Sequence, residues 1–161
     1  MNGNWTIGVD EAGRGPVIGP LVVAALAIPK DEISELSKLG VKDSKEISHS
    51  ERIRISKEIS TYVEQGRWKS GIVICKAKRI DLNSIFSDLN SLEIELFSEA
   101  ISETNIASKD GTIKADACDV NEERFRLRLE SALGDGWDNW NIHAEHGMDS
   151  KDLVTGGASI L

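Results

Sequence analysis

Apolar residues come in short runs early in the chain and at helical spacing later. Residues 5–12 read as a first strand around Ile7 and Val9. Residues 21–28 are apolar almost throughout, the pattern of a strand covered on both faces, so a central place in a sheet is expected, and Pro29 ends it. Residues 31–39 carry Ile33, Leu36 and Leu39 on one side, with Gly40 as C-terminal cap. Ser48 and Glu51 have capping-box spacing and open a helix striped by Ile55, Ile59, Tyr62 and Val63, closed by Gly66. Ile72, Val73 and Ile74 mark a third strand over 71–75. Residues 80–87 fit neither period. A long helix over 90–102 follows, capped by Asn90 with Glu93 at the capping-box distance and striped by Leu92, Leu96, Phe97, Ala100 and Ile101. Residues 112–117 read as strand four. Asn121 caps a helix bearing Phe125, Leu129 and Leu133, which Gly134-Asp135-Gly136 breaks. Residues 140–144 form a fifth strand, and Asp152 caps a last segment of small and apolar residues. Strands alternating with helices predict an α/β fold with a mixed sheet.

Composition adds limits. A chain of 161 residues, 40% hydrophobic and 29% charged, suits one globular domain. No apolar run is long enough to span a membrane and no secretion signal precedes the first strand. Cys75 and Cys118 make neither a disulfide framework nor a metal-spaced pair, so a reduced, cytoplasmic protein is expected. The net charge of −8 runs against a simple nucleic-acid binder. Either the acids are solvated helix faces, or some hold divalent cations that would face a phosphate backbone.

The stretch from Ile7 to Pro20 carries the most chemistry. Asp10 and Glu11 stand side by side in an apolar strand, where uncompensated carboxylates are costly. Asp116 and Asp149 stand at other element ends, so these four acids are candidate ligands for Mg²⁺ or Mn²⁺. Two such ions roughly 4 Å apart would serve phosphodiester hydrolysis. Taken singly, Asp116 and Asp149 also read as caps or turn formers. For Asp10 and Glu11 to share one site, the strand must end or bulge near Glu11, since alternation separates neighbours. Gly13-Arg14-Gly15 suits close backbone approach to a ribose-phosphate with Arg14 on the phosphate, or else a tight turn with an exposed arginine. Lys42, Ser44 and Lys45 suit a neighbouring phosphate or a solvated loop. His143 and His146 are spaced as a metal pair, but a hydrogen-bonding or water-relaying His146 near Asp149 is the better reading. Trp137 and Trp140 suit base stacking or packing over a loop.

Several blocks, in order, resemble ribonuclease HII, the type 2 ribonuclease H family, with the archaeal type nearest. They are the DEAGRG block within 7–20, the Asp43-Ser44-Lys45 block, Leu89 to Glu93, Ala115 to Val120 with Glu123-Arg124-Phe125, His146 to Asp149, and Ala158 to Leu161. The resemblance implies a ribonuclease H-like fold and cleavage of RNA in RNA–DNA hybrids, including single ribonucleotides embedded in duplex DNA. It places Asp10, Glu11, Asp116 and Asp149 on the catalytic, metal-binding acids, and Gly13, Arg14 and Gly15 on the loop that senses the ribose 2′-OH. It implies a two-metal, in-line attack of water that leaves a 3′-hydroxyl and a 5′-phosphate. The family continues past the last block through a basic helix and a stacking tyrosine. Here Tyr62 is the sole tyrosine, so a truncated, monomeric catalytic domain is expected. A catalytically silent hybrid-binding module, or an inactive fragment, is the alternative. Gly156 and Gly157 depart from the family pattern toward smaller residues, which is expected to weaken the last helix.

Overall fold

The computed structural model describes residues 4–12, 20–41, 47–76, 89–117, 119, 121–148 and 152–160. Five strands form one mixed sheet: β1 (Asn4–Ala12), β2 (Leu21–Pro29), β3 (Lys69–Cys75), β4 (Asp110–Asp116) and β5 (Trp140–Glu145), in spatial order β3-β2-β1-β4-β5. The first three strands pair antiparallel, and β1, β4 and β5 run parallel. The helices are α1 (Ile33–Leu39), α2 (His49–Glu64), α3 (Leu89–Glu103), α4 (Glu122–Leu133) and α5 (Leu153–Ile160). The fold class is the expected one, and β2 lies inside the sheet as its continuous apolar run requires.

Alternation along β1 and β2 divides the core in two. Ile7, Val9, Val23, Ala25 and Ala27 join Leu92, Leu96, Phe97, Phe125 and Leu129 beneath α3 and α4. On the other face Leu26 and Ile28 pack with Leu36, Ile55, Ile59, Val154 and Ala158 from α1, α2 and α5. Gly8 belongs to this second face because α5 lies directly on it. A β-carbon there would stand 2.3 Å from the Thr155 amide nitrogen, so only glycine lets the helix sit this close.

Local signals explain most element ends. Gly40 takes the left-handed conformation (φ 92°) and its N–H bonds the Leu36 and Ser37 carbonyls. The Ser48 hydroxyl accepts from Glu51 N–H at 3.2 Å, whereas the Glu51 carboxylate turns to Arg54 at 3.0 Å instead of completing the capping box. Asp152 Oδ2 caps α5 by accepting from Thr155 N–H at 2.9 Å. Three details differ from expectation. The first turn of the 31–39 segment is a 3₁₀ turn, Lys30–Glu32. Asn90 lies inside α3, which includes Leu89 before it, and so is not its cap. Glu93 is wholly buried rather than an exposed capping partner. The pairing of β1 with β2 runs in register through Glu11↔Val23 to Ala12↔Val22, and β1 ends there, one residue past Glu11. The ambiguous stretch 80–87 lies outside the described residues.

Candidate metal centre

Parallel register brings two of the predicted acids together. The β1–β4 ladder runs to Val9↔Ala115, and the next residues along the two strands are Asp10 and Asp116. Gly8 pairs with Lys114, so Asp10 and Asp116 fall two residues on, on the face that carries α5. Asp10 is 9% exposed, and its Oδ1 accepts from the Glu11 N–H at 2.9 Å. Glu145 stands opposite Asp116 on β5, one residue beyond the expected end of that strand at Ala144, so the sequence reading did not weigh it as a ligand.

The acidic end is shaped by the turn after β5. Gly147, at φ 67°, uses a conformation that favours glycine. Its N–H donates to Asp116 Oδ1 at 3.0 Å, and the Met148 N–H reaches the same oxygen at 3.4 Å. The Met148 carbonyl in turn accepts from Asp152 N–H at 2.9 Å, tying the turn to the cap of α5. Lys114 Nζ meets Asp152 Oδ1 at 2.9 Å and Thr155 Oγ1 donates to the Lys114 carbonyl at 3.2 Å, which locks α5 onto β4.

A second cluster supports the turn from behind. Asp119 is 1% exposed and receives both Arg124 Nε (2.7 Å) and Nη2 (2.6 Å), plus the Asn121 N–H at 3.1 Å. The Arg124 bidentate pair, followed by the Asn121 amide, holds the Asp119 carboxyl far below the usual carboxylate range. His146 Nε2 lies 2.5 Å from the Asp119 carbonyl oxygen, which can only accept, so Nε2 carries the proton. The His146 backbone N–H donates to Glu122 Oε2 at 2.6 Å.

The remaining candidates divide plainly. Glu11 is the next residue after Asp10 in the same ladder and is partly buried. Asp149, Gly13, Arg14, Gly15, Lys42, Ser44 and Lys45 lie outside the described residues. Among the described residues, no three His, Cys, Asp or Glu side chains gather as a metal-ligating group, so no described zinc site involves His143 and His146. Trp137 and Trp140 are packed rather than presented: their rings lie 5.3 Å apart at 56°, both buried, with Trp140 Nε1 donating to the Ala107 carbonyl. The signal for the Asp119–Arg124–His146 cluster was present in the sequence only as single polar residues; their convergence needed the fold.

A groove of about 540 Å³ lies at the opposite end of the sheet, lined by Trp5, Lys30, Thr112 and Asn141 among others. It is remote from Asp10 and Asp116. No helix among the described residues is long and apolar enough to cross a membrane.

A mixed sheet with acids at the C-terminal ends of adjacent parallel strands, backed by helices on both faces, defines a ribonuclease H-like α/β protein. The family model for ribonuclease HII matches residues 7–161. Ribonuclease HII of Methanocaldococcus jannaschii is 41% identical, covering 96% of this chain and 69% of the relative. That of Pyrococcus furiosus is 40% identical, covering 96% of this chain and 64% of the relative. The ribonuclease HII solved in complex with PCNA from Archaeoglobus fulgidus superposes with a TM-score of 0.79 at 33% identity, covering 96% of this chain and 69% of that one. The chain therefore belongs to the ribonuclease HII family, a family of metal-dependent endonucleases. It spans 64–69% of the length of these curated relatives.

Proposed function

We propose that this chain cleaves the RNA strand of RNA–DNA hybrids, and single ribonucleotides in duplex DNA, by hydrolysis to 3′-hydroxyl and 5′-phosphate ends. The observation that carries the reading is the placement of Asp10 and Asp116 one step past Val9↔Ala115, on one face of adjacent parallel strands. The donor set fits Mg²⁺ or Mn²⁺: carboxylate oxygens with no thiolate or imidazole beside them in the ladder. When bound, a pair of such ions supplies charge neutralisation at the scissile phosphate and a lowered pKa for the attacking water.

The chain's own residues do the placing. The Gly147 and Met148 amides hold one oxygen of Asp116, which directs the carboxylate without neutralising it. Met148, whose amide is one of these contacts, immediately precedes in sequence the fourth acid, Asp149, which its family motif assigns to the same site. Glu11, by its family motif, is assigned to the same site from the neighbouring position. By motif too, Gly13, Arg14 and Gly15 read the ribose 2′-OH, the one group that separates RNA from DNA at a given site. Lys42, Ser44 and Lys45 are assigned to a neighbouring phosphate.

The test is nicking of a DNA duplex holding one ribonucleotide, with Mg²⁺ or Mn²⁺ present, set against an all-DNA duplex and a chelator control. Cleavage 5′ of the ribonucleotide to a 3′-hydroxyl, abolished by chelation, is the expected result. A folded chain that cuts neither substrate under either metal sinks the proposal.

A further inference from the structure

The histidine that the sequence singles out has no part in the chemistry above, yet it sits at the hub of the turn beside Asp116. Its ring and its backbone are held at once: Nε2–H by the Asp119 carbonyl at 2.5 Å, and N–H by Glu122 Oε2 at 2.6 Å. Both anchors belong to the entry of α4. Asp119 is clamped by Arg124 in the first turn of that helix, and Asn121 caps it by accepting from Arg124 N–H at 3.0 Å. The residue before His146 is fixed as well, since the Ala117 N–H donates to the Glu145 carbonyl at 2.9 Å. The two residues after it present their amides to Asp116 Oδ1. The turn is therefore pinned to α4 on one side and holds a candidate metal ligand on the other.

We infer that His146 is a positioning residue: it couples the entry of α4 to the Glu145–Met148 turn and so sets Asp116 for metal binding. The inference rests on the reading of Asp116 as a metal ligand. The direct partners of Asp116 are the Gly147 and Met148 amides, and losing partners that orient a ligand carboxylate typically costs about 10- to 100-fold in metal affinity; His146 acts one step further out, so the lower end is expected. His146 is about half exposed, with 51% of its side chain accessible, so its loss removes an anchor without opening a core cavity. A glutamine can place an amide N–H near the position of Nε2, whereas alanine places nothing there.

The test measures Mn²⁺ binding calorimetrically in the full chain without substrate, for wild type, His146→Ala and His146→Gln. Amide hydrogen exchange at Gly147 and Met148 is followed in parallel. Expected for His146→Ala are Mn²⁺ affinity weakened by about tenfold, faster exchange at both amides and an unchanged unfolding midpoint, with His146→Gln recovering most of the affinity. Glu122→Gln, which weakens the second anchor, is the companion variant should His146→Ala misfold, and its Mn²⁺ affinity is expected to fall by a smaller factor. Wild-type Mn²⁺ binding that His146→Ala leaves intact, or a loss that His146→Gln does not recover, overturns the positioning role and leaves the proposed function standing. Failure of the wild type to bind Mn²⁺ overturns both.

Discussion

Replacing Gly8 by alanine tests the link between sheet, helix α5 and the acidic end. The added β-carbon would stand 2.3 Å from Thr155 N, 2.5 Å from the Val154 carbonyl carbon and 2.6 Å from Thr155 Cα. All three are backbone atoms, so no side chain can swing aside. Ordinary contact begins near 3.4 Å, so α5 must retreat by about 1 Å. That retreat loosens Val154 and Ala158, both buried against the sheet, and stretches the Thr155 Oγ1 bond to the Lys114 carbonyl beyond its present 3.2 Å. Overpacking typically costs about 1–3 kcal/mol, and an unyielding backbone neighbour argues for the upper end, about 3 kcal/mol. For a chain of this size that lowers the unfolding midpoint by about 6–12 °C. Thermal and urea unfolding of Gly8→Ala supply the measurement, with Gly136→Ala as control, since nothing lies within 4 Å of a β-carbon there. If Gly8→Ala unfolds within about 0.5 kcal/mol of the control, α5 does not rest on β1 as described.

Other expected outcomes concern the cap and the clamp. Asp152→Ala removes the acceptor of Thr155 N–H and the partner of Lys114 Nζ, and denaturant unfolding should register a loss of about 1 kcal/mol, with a range of about 0.5–2. Arg124 depresses the folded-state pKa of Asp119, so the stability from this pair is present above the ordinary carboxylate pKa and is lost as pH falls below it. Acid titration of unfolding should therefore show a shallower loss below about pH 4 for Asp119→Asn than for wild type, from a lower starting stability. Mn²⁺ at about 100 times its dissociation constant should raise the stability of the wild type by about 2.7 kcal/mol, and Asp10→Asn should remove most of that gain.

Much of the architecture was legible because its signals are local. The apolar run of β2, the caps at Ser48, Asn121 and Asp152, and the left-handed Gly40 each act within a few residues. What failed to show in the sequence depends on partners far along the chain. Ile72, Val73 and Ile74 marked the strand alike, but their burial differs because β3 is an edge strand: Val73 is buried while Ile72 and Ile74 are 44% and 62% exposed. Glu93 has the spacing of a cap but lies at 0% exposure on the inner stripe of α3 with Phe97 and Ala100. Gly157, read as a weak point in the last helix, sits where a β-carbon would come within 2.9 Å of Leu26 Cδ2, so its small size serves the packing of α5. For the site, residue types announced the acids one by one. Only the parallel pairing of β1 with β4, separated by about a hundred residues of sequence, places Asp10 beside Asp116.

The central claim is that Asp10 and Asp116 form part of the metal centre of a ribonuclease. Its most direct test is single-turnover cleavage of an RNA–DNA hybrid in Mn²⁺ by wild type, Asp10→Asn and Asp116→Asn, each shown to be folded. These substitutions keep shape and remove ligand charge. Cleavage by the wild type with a loss of about 10³-fold or more in each variant, as expected when about 4 kcal/mol of transition-state stabilisation is withdrawn, supports the account. Cleavage by either variant at the wild-type rate contradicts it.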